Sequence, residues 1–84
     1  PLFIIGAETL AGSVQMQNGN LEEAGQLFLK AEQNTRSLQD ETRQKAELSQ
    51  IFLLLGNLER KRENYQSAAD YYARSLEIIE STNT

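Results

Sequence analysis

The chain has 84 residues, twelve acidic against eight basic, with a net charge of −4 at neutral pH and a pI near 4.7. Cysteine and histidine are both absent, which removes disulfide stapling, the commonest general base and the commonest metal ligand, zinc and haem ligation with it. Eight cations spread among twelve acids exclude a phosphate-tracking nucleic-acid surface, and no apolar run approaches the roughly 20 residues that cross a bilayer.

Hydrophobic residues make up 39% of the chain and charged residues 24%. That supports a core of modest size, because chains this short bury only about 60% of their unfolded surface. The length is that of one domain at most, or of a piece of a longer array. The chain opens at Pro1 rather than Met, as an excised fragment or a processed chain would. The opening "PLFII" has neither the basic flank nor the length of a secretory leader.

Pro1 is the only proline, so no ring interrupts a helix farther along. Segment one, 2–18, carries Leu2, Ile5, Leu10 and Val14, with Ala7 and Ala11, on its apolar side. "NGN" at 18–20 ends it, since Gly and Asn tolerate the left-handed conformation of a helix terminus. Asn20 then caps segment two, with Glu22 and Glu23 placed well in the first turn. Segment two runs over 21–37, with Leu21, Ala24, Leu27, Phe28 and Ala31 on one stripe.

"SLQDE" at 37–41 is the middle break, with Asp40 as N-cap and Glu41 behind it. Segment three, 41–62, carries Ala46, Leu48, Ile51, Phe52, Leu55 and Leu58. It closes on Arg60, Lys61 and Arg62, cations that suit a helix C-terminus. Asn64 opens segment four, which frays in the polar tail "STNT". No segment sustains a period of two, so the fold class is all-α. Short turns make neighbouring helices antiparallel. The carboxylate pairs Glu22–Glu23 and Asp40–Glu41 both lie at helix starts, where the macrodipole explains them without catalysis.

Sliding the chain by 44 residues superimposes it on itself: Leu10 on Leu54, Gly12 on Gly56, Asn20 on Asn64, Ala24 on Ala68. Leu21 meets Tyr65, Phe28 meets Tyr72, Lys30 meets Arg74 and Ala31 meets Ser75. A fixed offset that keeps glycine and alanine in place marks a repeat. Repeat one covers about 2–37 and repeat two about 40–81 of a single domain. Ala68 and Tyr72, four apart, lie on one helix face. The small residue reads as a hole for a close neighbour, the helix that carries Gly56.

With the hairpins aligned, the second half resembles a tetratricopeptide repeat. Phe52, Leu55 and Gly56 stand at the first-helix motif positions, and Tyr65, Ala68 and Tyr72 follow at the family's distances. In the first half Gly12, Leu21, Ala24, Phe28 and Ala31 match, while Glu8 replaces the aromatic. The resemblance implies two antiparallel helical hairpins stacked as an α-solenoid fragment, with those residues as its packing set. The family's usual period is 34 residues; the additional ten here imply longer second and third helices. Such long repeats resemble those of kinesin light chains and of bacterial signalling and protease-associated arrays. Glu59 stands at a family aromatic position, so leucine there is expected to be neutral or better. Glu80 falls where the terminal proline would be.

The resemblance also implies a groove lined by the first helix of each hairpin, holding an extended peptide or a partner helix. Its residues would be Thr9, Ser13, Met16 and Gln17, then Gln50, Leu53, Asn57, Arg60 and Lys61. Asn57 stands where chaperone-tail-binding members grip peptide backbone or carboxylate. Leu53 and Ser13 replace the Lys and the second Asn of that clamp, so chaperone tails are not implied. Arg60, Lys61 and Arg62 serve equally as a basic patch or as a neutralised helix end. Tyr65 and Tyr72 belong to packing, which leaves Tyr71 free.

Two functions follow as expectations. One is a non-catalytic module that binds a protein or peptide partner, with no cofactor and no metal. The other is a structural or oligomerisation element of a larger regulated protein. Large apolar residues at both ends, Leu2 to Ile5 and Leu76, Ile78 and Ile79, imply self-association, by end-to-end stacking or by hairpin exchange through a straightened "SLQDE".

Overall fold

A computed structural model describes residues 2–82, the side chain of Leu2 aside. Four helices follow one another: α1 (Leu2–Gln17), α2 (Leu21–Arg36), α3 (Glu41–Lys61) and α4 (Tyr65–Thr82). α1 packs along α2 and α3 along α4; α2 rests on α3, and α1 touches α3 only lightly. The result is a slab of 35 × 27 × 15 Å. Every helix boundary lies within a residue or so of its position in the sequence reading. Of the two helices expected to absorb the extra repeat length, only α3 is long. It has 21 residues, whereas α2 has 16, the same as α1.

The same turn closes both hairpins. Gly19 adopts φ +85°; its N–H donates to the Met16 carbonyl at 3.1 Å and that of Asn20 to Gln15 at 2.8 Å. Forty-four residues on, Glu63 adopts φ +65°. Its N–H donates to Arg60 at 3.0 Å and that of Asn64 to Glu59 at 2.8 Å. Both are Schellman closures, which satisfy the last carbonyls of a helix through a left-handed residue. Asn20 is not a side-chain cap for α2, because its φ of −84° and ψ of 71° lie outside the extended region that a cap requires. Its Nδ2 reaches back instead to Gln15 Oε1 at 2.7 Å, and Asn64 Nδ2 to Glu59 Oε1 at 2.8 Å.

The connection between hairpins differs. Asp40 caps α3, accepting from the Arg43 N–H at 3.2 Å. Gln44 Nε2 donates to the carbonyls of Arg36 at 3.0 Å and Thr35 at 3.4 Å. The start of α3 thereby closes the end of α2.

The core joins Ile5 and Met16 of α1, Ala24, Phe28 and Ala31 of α2, and Leu48, Ile51, Phe52, Leu55 and Leu58 of α3. Glycines set the hairpin contacts. A Cβ on Gly12 would stand 2.6 Å from the Phe28 ring, and one on Gly56 the same distance from Tyr72. The hole of the second hairpin is therefore Gly56 and its knob is Tyr72; Ala68 is buried beside them.

Several sequence assignments change. Leu10 and Val14 face outward, and Ala46 is exposed. α1 is apolar nearly all round, so hydrophobicity alone does not say which of its faces α2 covers. Met16, read as a groove residue, is buried in the core. Tyr65, read as packing, is 64% exposed. Its counterpart Leu21 is covered because α2 has α3 against it, whereas no further helix lies on that side of α4. Tyr71 is half-buried, stacked on Phe52 with centroids 6.1 Å apart, and Arg74 lies 5.5 Å above its ring.

Candidate functional site

α1 and α3 are related by the 44-residue offset, which sets Ser13 opposite Asn57 and Gln17 opposite Lys61. On α3, Gln50, Leu53, Asn57 and Lys61 fall three and four residues apart, the spacing of one helix face. Gln17, Gln50, Leu53, Arg60 and Lys61 are exposed, and Ser13 and Asn57 are half-buried. Thr9, also half-buried, spends its hydroxyl on the Gly6 carbonyl of its own helix at 3.0 Å. The α3 row is thus a continuous polar ridge with Leu53 as its apolar member. Ser13 and Gln17 continue it on α1.

Asn57 is held from behind. Tyr72 Oη donates to its Oδ1 at 2.5 Å, which orients the carboxamide with its oxygen inward. Among the described residues the Asn57 Nδ2 makes no hydrogen bond, and neither Arg60 nor Lys61 forms an ion pair. Arg62 differs from them, lying 3.7 Å from Glu59. The last two turns of α3 therefore gather uncommitted donors on one side: an oriented amide and two cations. Repeat one offers a reduced version, because Phe28 has no hydroxyl and Ser13 stands opposite it.

Residues 4–81 match the tetratricopeptide repeat profile. The chain belongs to the tetratricopeptide repeat family. The match reaches the family and no particular subfamily. Comparison with curated proteins and with solved structures finds no match. Tetratricopeptide repeats mediate protein–protein interaction, and the family is typically non-catalytic. No described helix is long and apolar enough to cross a membrane. Among the described residues no cluster of acidic side chains is placed to hold a metal ion.

A second concavity was not legible in the sequence. A cleft of about 300 Å³ opens between α2 and α3, lined by Gly25, Leu29, Leu55, Leu58, Glu59, Arg62 and Tyr71 among others. Gly25 is the residue that shapes it: a Cβ there would meet Leu58 Cδ2 at 3.2 Å. Its signal was a glycine in mid-helix with no turn to explain it. Tetratricopeptide motif positions do not include it, so the family pattern passed over it.

Proposed function

We propose that this tetratricopeptide segment is a non-catalytic module that binds a polar or acidic polypeptide along the ridge formed by Ser13, Gln17, Gln50, Leu53, Asn57, Arg60 and Lys61. One observation carries the reading. The Tyr72 hydroxyl fixes Asn57 with its amide donors outward, beside two cations that no acid neutralises. Oriented donors with adjacent positive charge suit backbone carbonyls and carboxylates. Leu53 supplies a short apolar contact between them.

Titration calorimetry with a panel of flexible peptides tests this. Acidic peptides should bind more tightly than charge-reversed ones. Arg60→Glu with Lys61→Glu should weaken them about tenfold or more, corresponding to roughly 1.4 kcal/mol. Equal affinity for basic peptides, or indifference to the double reversal, would remove the ridge as the site. A structural role within a larger protein is the second reading, favoured by the apolar faces that α1 and α4 leave uncovered.

A further inference from the structure

The repeat relation gives every residue of one hairpin a counterpart in the other, so the single interface between hairpins has a counterpart at each end. α3 presents two stripes. Phe52 and Gly56 face α4, as their contacts with Tyr71 and Tyr72 show. Leu48, Ile51, Leu55 and Leu58 form the other, buried, and Leu58 meets Gly25 of α2. Forty-four residues earlier that stripe reads Ile4, Ala7, Ala11 and Val14, and all four are exposed on α1. The opposing stripe of α2 is Leu21, Gly25, Glu32 and Thr35, partly or wholly covered; its counterparts on α4 are Tyr65, Ala69, Leu76 and Ile79, all exposed.

The two open faces differ from the closed interface in opposite senses. On α1, Ile51, Leu55 and Leu58 are replaced by the smaller Ala7, Ala11 and Val14. On α4, Leu21, Gly25, Glu32 and Thr35 are replaced by the larger or more apolar Tyr65, Ala69, Leu76 and Ile79. At the tightest point, Gly25 against Leu58, the counterparts are Ala69 against Val14: carbon is added on one side and removed on the other. Interfaces pack to interior density and tolerate such volume-conserving exchanges best. Pairing α1 with α1 would set alanine against alanine and leave voids. Pairing α4 with α4 would crowd Tyr65, Leu76 and Ile79. α1 also has only one charged residue, Glu8, already accepting from Asn34 Nδ2 at 2.8 Å.

We propose that α4 of one copy docks on α1 of a second copy, in the register in which α2 holds α3, so that copies join head to tail. A contact between two different patches does not close on itself and builds an open chain. It uses other residues than the peptide ridge and stands independently of that reading.

Two single substitutions at exposed positions test it: Ala11→Glu blocks the head and Leu76→Glu blocks the tail. The average mass of the parent chain in sedimentation should climb from 9.5 kDa as its concentration is raised from micromolar to millimolar. Each variant alone should stay at the monomer mass. Mixed in equal amounts they should form a pair of twice that mass that grows no further, because each retains the face the other lacks. Far-UV circular dichroism reports whether each variant folds, and Ala7→Glu with Ile79→Glu repeats the test at neighbouring positions. A parent chain monomeric at millimolar concentration overturns the proposal, as does a mixture that stays monomeric. A variant that associates alone also overturns it, pointing to like-with-like pairing or to hairpin exchange.

Discussion

Replacing Gly56 by alanine sets a methyl carbon 2.6 Å from Cε1 and 2.7 Å from Cδ1 of Tyr72, about 1 Å inside an ordinary carbon–carbon contact. The ring cannot swing clear without cost, because Asn57 holds its hydroxyl at 2.5 Å. Alanine gains about 1 kcal/mol over glycine in a helix interior, and overpacking of a close contact costs about 1–3 kcal/mol. The balance is a loss of up to about 2 kcal/mol, which for a chain of this size lowers Tm by about 5–15 °C. Gly6→Ala is the control: nothing lies within 4 Å of its Cβ, so the same change there should stabilise by about 0.5–1 kcal/mol. Thermal and urea melts followed by far-UV circular dichroism measure both. Tyr72→Ala in the Gly56→Ala background should cost less than it does alone. A Gly56→Ala chain that melts at or above the parent would show that Tyr72 is not seated on Gly56 and that the register of α3 on α4 is wrong.

Glu63 holds a left-handed conformation that suits glycine, so Glu63→Gly should raise urea stability by about 1 kcal/mol, and Gly19→Ala at the equivalent turn should lower it similarly. Glu59→Gln should be near neutral, since Gln15 already accepts from Asn20 at the same place in repeat one. Glu59→Leu loses the bonds to Asn64 and Arg62 and should cost about 1 kcal/mol in the same melts, which corrects the sequence expectation of neutrality. Tyr72→Phe removes the hydroxyl that holds Asn57 and should cost about 1 kcal/mol. Adding Asn57→Ser, which recreates the Phe28–Ser13 pair, should recover part of that loss in a double-mutant cycle.

The helices, their ends and the repeat were legible because each rests on local chemistry. Gly19 and Asp40 mark their turns by residue type, and Gly12 and Gly56 keep their spacing to Phe28 and Tyr72. What the sequence could not supply was which apolar face is covered. On α1, Leu10 and Val14 are as hydrophobic as Ile5 and Met16, and only the position of α2 separates them. Tyr65 failed as a packing residue for a related reason: its position is buried only where a next helix exists, as the covered Leu21 shows. The Glu8–Asn34 pair and its apolar counterpart, Phe52 and Ile78, exchange across the fold between residues 26 apart. A motif scan along the chain does not see such a pair. The ridge residues were named from the family pattern, but the orientation of Asn57 required Tyr72 to be placed in space.

The central claim is that polypeptide binds on the α1–α3 ridge. Backbone-amide chemical shifts, followed while an acidic peptide is titrated into the labelled protein, test it most directly. Shifts should concentrate on Ser13, Gln17, Leu53, Asn57, Arg60 and Lys61, and should vanish for the peptide in the Arg60→Glu, Lys61→Glu chain. Shifts confined to α2 and α4, or centred on the cleft at Gly25 and Leu29, would contradict it.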